Sequence, residues 1–124
     1  MARLFRVILP VSDIDLAERF YCRVLGMPGK RVSPGRHYFD CGGTILACFD
    51  AKADGDLVVP KANPEHVYFA VGDLEACYER AVGARCQWIE DEIKSRAWGE
   101  RSFYARDPFG NPICLVDEKT VFSG

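Results

Sequence analysis

The chain has 124 residues, of which 48% are hydrophobic and 27% charged, and its formal net charge is −2. This composition is typical of a soluble globular protein, with no basic stripe for nucleic acid and no polybasic segment for an anionic membrane. The apolar runs are too short to span a membrane, and Arg6 and Pro10 interrupt the N-terminal run, which is not typical of a signal peptide. We therefore expect a cytoplasmic protein.

A faint internal repeat organises the chain. Residues 7–15 read VILPVSDID and residues 67–75 read VYFAVGDLE, so that an alternating strand is followed by a similar V-[S/G]-D turn in both segments. Self-similarity at half the chain length predicts two copies of one supersecondary unit. We expect one domain over residues 1–124, made of two units at about 1–57 and 64–124.

Each repeat is predicted to continue into a helix. Ser12 or Asp13 can cap the first helix, and Asp73 can cap the second, because short polar side chains accept bonds from free backbone N–H groups. Gly26 and Gly83 end the two helices. The apolar faces, at spacings of three and four, are Ile14, Ala17, Phe20 or Tyr21, and Val24 in the first helix and Leu74, Cys77 and Ala81 in the second.

Three strands are predicted after each helix. In the first copy they are a short piece at residues 30–32 and the segments 36–41 and 44–50, joined by a Gly-Gly turn. In the second copy they are the segments 86–93, 102–107 and 112–118. Residues 51–65 contain two prolines and read as a linker. Both copies therefore read β-α-β-β-β, which is an α+β pattern.

The six cysteines do not form a disulfide pattern. They include no C-x-x-C pair, and most of them lie in apolar runs: Cys22, Cys41, Cys48, Cys77, Cys86 and Cys114. A cytosolic chain with an adequate core needs no covalent staples, and buried thiols pack as small apolar groups. We expect all six to be free.

Two segments resemble a known family. VSDIDLAERFYCRVLGM, at residues 11–27, and WGERSFYARDPFGNPICLV, at residues 98–116, are similar to signatures of the vicinal oxygen chelate superfamily, which includes glyoxalase I, bleomycin-resistance proteins and extradiol dioxygenases. The resemblance implies paired βαβββ units whose curved mixed sheets surround a cup, with helices on the convex side. It also implies a homodimer, as in many members.

The alternation of strand side chains is consistent with such a cup. Successive side chains of a strand point to opposite faces. In the first strand, Arg6, Ile8 and Pro10 are predicted to face the cup, whereas the residues between them face the helix. In the second copy, His66 and Tyr68 take the equivalent cup-facing positions.

The resemblance also identifies the positions at which metal-dependent members bind a divalent ion. These positions fall on Arg6 and His66 in the first strands, on Cys114 in the last strand, and near Cys48, to within about one residue, in the first copy. Arginine has no lone pair for a metal, and no carboxylate is in place, so a magnesium, manganese or iron(II) site is not expected. We predict neither a metal nor another cofactor.

Two alternatives concern these same positions. Cys48, His66 and Cys114 together offer the ligand types that zinc prefers, although the positive charge of Arg6 opposes a cation. Arg6 itself either pairs with a carboxylate such as Glu65 or Asp50, or binds an anionic or carbonyl-bearing ligand, because a buried guanidinium needs a partner.

The remaining candidate residues are aromatic. Small-molecule sites are lined mainly by apolar and aromatic side chains with a few polar groups. Among these aromatic residues, Trp98 is the best candidate for a ligand contact. It lies beside Gly99 in a predicted loop, where an aromatic side chain is less needed for packing. The full set of predicted ligand-binding residues is Arg6, His37, Phe39, Cys48, His66, Tyr68, Trp98, Phe103 and Cys114.

These observations favour a protein that binds a small organic molecule in an aromatic-lined cup without a catalytic metal, as the drug-sequestering members of the family do. One alternative is a metal-dependent lyase, isomerase or dioxygenase of the same family. A third is a protein–protein module that keeps the fold for dimerisation. The three classes differ in whether they need a bound metal, a saturable ligand or neither.

Overall fold

A computed structural model describes residues 1–58 and 60–122 of the chain. Two α-helices, nine strands and a final 3₁₀ turn at Glu118–Thr120 occur within these residues. The helices are α1 (Ile14–Leu25) and α2 (Leu74–Val82), and the strands are β1 (Arg6–Pro10), β2 (Lys30–Ser33), β3 (Arg36–Cys41), β4 (Thr44–Phe49), β5 (Val67–Val71), β6 (Trp88–Ile89), β7 (Lys94–Ser95), β8 (Arg101–Arg106) and β9 (Pro112–Asp117). The predicted linker at residues 51–65 contains no helix or strand within its described part, and Val59 lies outside the described residues.

The strands form two mixed sheets that remain open. The first sheet has the order β1-β4-β3-β2, and the second has the order β5-β9-β8-β6, with β7 also paired to β8. The first strand of each half runs parallel to the last, whereas the remaining pairs are antiparallel. The two halves thus repeat one topology, and the predicted α+β fold of paired βαβββ units is confirmed.

Both helices begin and end where the sequence indicates. The Asp13 side chain, rather than Ser12, accepts bonds from two backbone N–H groups at the start of α1, and the Asp73 side chain accepts one at the start of α2. Gly26 ends α1 in the left-handed conformation with φ 71°, which costs glycine little because it has no Cβ. The predicted apolar faces of both helices are buried.

Burial along the strands separates a helix side from a cup face, the name used here for the face of each sheet turned away from the helices. In β1, Leu9 is fully buried, whereas Arg6 and Ile8 are exposed. In β5, Phe69 is buried and Tyr68 is 58% exposed. The helix sides of both sheets and the two helices share one hydrophobic core.

A buried polar network joins the two halves. The Tyr21 hydroxyl, on α1, donates a 2.7 Å hydrogen bond to the carboxylate of Asp107, in the turn between β8 and β9. Asn111 donates from its side-chain amide to Asp107 and also to the Pro10 carbonyl at 2.7 Å. Burial raises the pKa of Asp107, against the opposing effect of these donors. The network fixes the end of β1 against the second sheet.

The predicted strand at residues 86–93 is much shorter in the structure. The Glu90 N–H still donates to the Tyr104 carbonyl at 2.9 Å, but the Tyr104 N–H donates at 2.8 Å to the Glu90 carboxylate instead of the Glu90 carbonyl, so the regular ladder ends at Ile89. The Glu90 carbonyl turns away and accepts a bond from the Tyr78 hydroxyl. The predicted loop at residues 94–101 in turn contributes the two-residue strand β7.

All six cysteines are free, as predicted. In the described part of the chain, none of the helices has the length and apolar character needed to cross a membrane.

Candidate functional site

The cup face of the second sheet carries one row of side chains across three strands. Tyr68 in β5 is in register with Cys114 in β9, which is in register with Tyr104 in β8. Paired residues of neighbouring strands project to the same face, so these three side chains lie side by side. The pairing places the Cys114 thiol between two tyrosine rings at the centre of the sheet.

His66 joins the two tyrosines in an aromatic cluster. Its ring centroid lies 4.8 Å from that of Tyr104, in an edge-to-face arrangement, and 6.1 Å from that of Tyr68. The two tyrosine rings are 6.4 Å apart and nearly perpendicular. The nearby Tyr68 hydroxyl, followed by burial, raises the pKa of Tyr104 to about 12. Tyr104 is therefore a neutral phenol at physiological pH, able to donate a hydrogen bond.

A cation lies against this cluster. The Arg96 guanidinium is centred 4.7 Å from the Tyr104 ring centroid, and its Nε donates a 2.9 Å bond to the Ser102 hydroxyl. Burial raises the pKa of the Cys114 thiol to about 11, although Ser102 and Arg96 act in the opposite direction. Cys114 is therefore a neutral thiol beside a positive charge, where metal-dependent relatives are expected to place an anionic ligand.

Glu90 holds Arg96 in place. Its carboxylate accepts bonds from both Nη atoms of Arg96, and both side chains are more than 85% buried. Burial acts to raise the pKa of Glu90, but the bonds from Arg96 and the Tyr104 N–H outweigh it, so the net pKa is lowered. Sequence analysis does not identify this pair, because no motif marks two charged residues six positions apart on either side of a loop.

The cup face of the first sheet presents a second arginine. The exposed Arg6 guanidinium is centred 5.1 Å from the ring of Phe5 and 5.2 Å from that of Tyr38. The equivalent of the Tyr68–Cys114–Tyr104 row here is Ile8, Ala47 and Tyr38. This face therefore combines an apolar centre with a positive edge.

The predicted ion pair of Arg6 is not formed. No salt bridge joins Arg6 to Glu65, to Asp50 or to any other carboxylate of residues 1–58 and 60–122. Asp50 is buried and accepts a bond from the Ala53 N–H within a turn, so its carboxylate is used locally. Because Arg6 is exposed, water can solvate its guanidinium, and the alternative in which it contacts a ligand stays a prediction.

Four predicted ligand-binding residues lie on the helix side of the sheets. Cys48 pairs with Leu9 and His37, and Phe39 pairs with Leu46, so all of them point towards the helices. The buried helix-side residues from the predicted set are His37, Phe39, Cys48 and Phe103. Of the other predicted residues on the cup faces, Arg6, His66 and Tyr68 are exposed, whereas Cys114 is itself buried at 1% exposure.

The register also corrects the position equivalent to Cys114 in the first sheet. It is Ala47, one residue before Cys48, and a one-residue shift moves a side chain to the opposite face. The four positions that the resemblance implies for a metal therefore fall on Arg6, Ala47, His66 and Cys114, which supply one imidazole and one neutral thiol. This donor set does not fit a hard divalent ion. A zinc site that includes Cys48 is excluded as well, because Cys48 faces the core.

Trp98 lies in the loop after β7. Its ring is 60% exposed, and its indole N–H donates to the Glu100 carboxylate at 2.8 Å. Gly99 follows with φ 93° and turns the chain back towards β8. The role of Trp98 as a ligand contact stays a prediction.

An open cleft of about 860 Å³ runs along the free edge of β5. Its walls include Leu4, Ile45 and the β3–β4 turn on one side and His66 and Tyr68 on the other. This volume is within the range of small-molecule sites in proteins. The cleft brings apolar side chains of the first sheet close to the aromatic cluster of the second.

The comparisons with known proteins agree with this architecture. Similar solved structures include a glyoxalase/bleomycin resistance protein from Albidiferax ferrireducens T118 (20% identity, TM-score 0.76, 90% of this chain and 95% of that one). A glyoxalase-related enzyme from Fulvimarina pelagi has 18% identity and a TM-score of 0.78, over 100% of this chain and 94% of that one. A lactoylglutathione lyase from Agrobacterium tumefaciens has 23% identity and a TM-score of 0.69, over 96% of each chain. At these identities the likeness shows a shared fold alone. No curated protein sequence matches the chain.

The family model for the Glyoxalase/Bleomycin resistance protein/Dioxygenase superfamily matches residues 3–115, nearly the whole chain. The match includes both sheets, both helices and the aromatic cluster of the cup face. The chain therefore belongs to the glyoxalase/bleomycin resistance protein/dioxygenase superfamily.

Proposed function

We propose that this protein binds a small organic molecule with an aromatic or apolar body and an anionic or carbonyl group, and that it does so without a metal. The observation that carries the proposal is the replacement of metal ligands by arginine chemistry on the cup face. Arg6 takes one of the ligand positions that the resemblance implies, and Arg96 lies against Tyr104, the strand neighbour of the thiol at another. A ligand's own negative or partly negative oxygen is the natural partner for such groups.

Arg6 is the group that would recognise this oxygen. Its guanidinium lies beside two aromatic rings, a setting that orients its donors, and it has no ion-pair partner in the described part of the chain. Arg96 is less available, because Glu90 and Ser102 already accept its bonds. We therefore assign the binding role to Arg6 and a positioning role at the Tyr104 ring to Arg96.

The aromatic cluster would hold the body of the ligand. His66 and the two tyrosines offer ring edges and faces at 4.8–6.4 Å from one another, and Tyr68 is more than half exposed. Burying one such aromatic surface on binding is worth about 1–3 kcal/mol. The neutral Tyr104 hydroxyl adds a donor.

We further propose that the protein is a homodimer. Phe5, Ile8 and Tyr68 are 52%, 45% and 58% exposed near or on the cup faces, and the outer edges of β1 and β5 have no strand partner within the described residues. Exposed apolar surface and open strand edges favour association with a second copy. The free thiols are consistent with the cytoplasm as its location.

The proposed function is tested with two fluorescent probes of similar shape. 8-Anilinonaphthalene-1-sulfonate carries an anionic group, whereas N-phenyl-1-naphthylamine is neutral. Equilibrium titrations should show saturable binding of both by the unmodified protein. Arg6→Met should weaken binding of the sulfonate by about tenfold, the range expected for one charge-assisted hydrogen bond, and leave binding of the neutral probe nearly unchanged.

The matched control is Arg19→Met, because Arg19 is an exposed arginine on α1, far from the cup face. It should change neither titration. Equal losses for Arg6→Met and Arg19→Met would show that only net charge matters and would refute the assigned role of Arg6. Absence of saturable binding of either probe would favour a protein–protein module instead.

A further inference from the structure

A second group of ligand-type side chains lies on the helix side of the first sheet. Glu18 and Cys22 are four residues apart on α1 and share one face of the helix, and His37 in β3 faces them. A carboxylate oxygen, the thiol sulfur and a ring nitrogen of these residues lie within 4.8 Å of one another. The group is separate from the cup, which lies on the opposite face of the sheet.

His37 points a lone pair into this group. The side chain is 3% exposed, and Nε2 is 2.9 Å from the Pro28 carbonyl, which can only accept a bond. Nε2 therefore donates to this carbonyl, and Nδ1 is the acceptor of the ring. Nδ1 accepts a long, 3.4 Å hydrogen bond from Arg31 Nε, and Glu18 Oε1 lies 3.5 Å from the same nitrogen.

The backbone beside His37 is shaped around its ring. A Cβ atom at Gly29 would lie 2.7 Å from His37 Nε2, so only glycine allows this close approach. The Pro28 carbonyl accepts the Nε2 bond and also a 3.1 Å hydrogen bond from the Cys22 thiol, which the thiol would give up on binding a metal. Such a carbonyl is the usual outer partner of a histidine that binds a metal, because it fixes the ring and the tautomer.

We propose that Glu18, Cys22 and His37 form a binding site for a borderline-soft divalent metal, with zinc as the preferred ion. Thiolate, imidazole and carboxylate are the three ligand types that zinc takes in proteins, and water would complete four-coordination. The Cys22 thiol would release its proton to solvent as the sulfur–metal bond forms. Ligand distances of about 2.0–2.3 Å require side-chain adjustments of less than about 1 Å from the present spacing.

Arg31 is the competitor of the metal. Its Nη2 donates to Glu18 Oε1 at 2.7 Å and to Asp15 Oδ1 at 3.0 Å. The side chain is one-third exposed and can keep the Asp15 pair while it releases Glu18. Arg31 Nε also donates to His37 Nδ1, so a bound ion would replace the guanidinium at both Glu18 and His37 and would connect α1 directly to β3.

Cobalt(II) is the probe for this site, because a cobalt–thiolate bond gives a charge-transfer band in the near ultraviolet. Reduced, chelator-treated protein should develop this band with one equivalent of cobalt, and zinc should abolish it by displacement. Cys22→Ser should remove the band, and Glu18→Gln should weaken cobalt binding by about tenfold or more. Arg31→Gln should tighten binding severalfold, since it removes a positive charge beside the ion.

The matched control is Cys86→Ser, which changes a half-buried cysteine outside the group and should leave the band unchanged. The proposal is overturned if the unmodified protein gives no thiolate band in excess cobalt, a result that needs no variant. It is also overturned if the band survives in Cys22→Ser, or if Arg31→Gln weakens binding. The probe titrations of the cup are independent of all these outcomes.

Discussion

Cys114 determines what the cup face of the second sheet can bind. Burial raises the pKa of its thiol to about 11, so the sulfur is neutral at physiological pH despite the nearby Arg96 charge. In the first sheet, the equivalent residue is Ala47, which offers no donor at all. A divalent ion must replace its lost hydration with several lone pairs, preferably anionic ones, and the cup does not provide them.

Restoring one metal ligand in the cup should therefore give only weak binding, whereas restoring two should create a metal site. In a Cys22→Ser background, which disables the group on the helix side, Cys114→Glu should bind nickel(II) weakly because Arg96 lies near the new carboxylate. Adding Arg6→His should tighten nickel binding by about a hundredfold, since it removes a unit charge and supplies an imidazole. Calorimetry measures both. The control combines Arg6→His with Cys114→Gln, since Gln has the shape of Glu without its charge. Equal nickel affinity of the variants with and without Arg6→His would contradict the charge argument.

The bond between Tyr21 and Asp107 should make a large contribution to stability. Tyr21→Phe leaves the buried carboxylate with one donor fewer, which should lower the free energy of unfolding by about 1–3 kcal/mol. Urea denaturation measures this change. Tyr38→Phe, at a partly exposed position, should lower it by less than about 0.5 kcal/mol. Similar losses for both variants would show that the hydrogen bond is unimportant.

Sequence reasoning at single residues was limited by register. The Asp of each repeat, seven positions after Arg6 or His66 in one continuous segment, is enough to place both side chains on the cup faces. The prediction places Cys48 on the wrong face. A loop and two turns separate it from the Asp of the repeat, and an error of one residue reverses the face of a strand. The same error of face affects His37 and Phe39, which lie with Cys48 on the helix side of the first sheet.

At the scale of elements, the segment from β6 to β8 departs most from the sequence prediction. The alternation of residues 86–93 predicts a full strand, but the Glu90 side chain takes the place of a backbone acceptor. The departure creates the cation beside the cup, because the same carboxylate holds Arg96. Pattern alone does not reveal such a substitution, since it depends on which oxygen accepts one N–H group. The helix limits and caps are local features and are predicted well.

The Glu90–Arg96 pair should make stability depend on pH. The folded-state pKa of Glu90 is lowered below its ordinary value of 4.5, so the pair stabilises the fold above about pH 4.5. This contribution is lost as the pH falls through the folded pKa, because the protonated carboxyl no longer attracts the guanidinium. The free energy of unfolding should therefore fall more steeply between pH 6 and pH 3 in the unmodified protein than in Glu90→Gln, as measured by urea denaturation. Parallel profiles would contradict the role of the pair.

At the scale of the whole molecule, one chain leaves much of its cup surface open to solvent. Two sheets share a core through their helix sides, while apolar side chains remain exposed on the other faces. The repeat of the sequence predicts this pairing of units, because each unit alone would leave a helix side uncovered. Sequence cannot predict how the cup is completed, because that depends on the surface of a second molecule.

Light scattering tests the proposed dimer. At tens of micromolar protein, the mass should be about twice the 13.9 kDa of one chain. Ile8→Lys should shift the equilibrium towards the monomer, since it places a charge on an exposed apolar part of the cup face. Val82→Lys is the control, because Val82 is an exposed apolar residue at the end of α2. A mass of one chain for the unmodified protein would refute the proposed homodimer.

The cup is proposed to bind an organic molecule without a divalent metal. The most direct measurement is the titration of 8-anilinonaphthalene-1-sulfonate with the protein as purified, after exhaustive chelation, and after addition of manganese(II). We expect the same affinity in all three states, and a loss in Arg6→Met in each. Binding that disappears on chelation and returns with manganese(II) would contradict the claim and would identify the protein as a metal-dependent member of its superfamily.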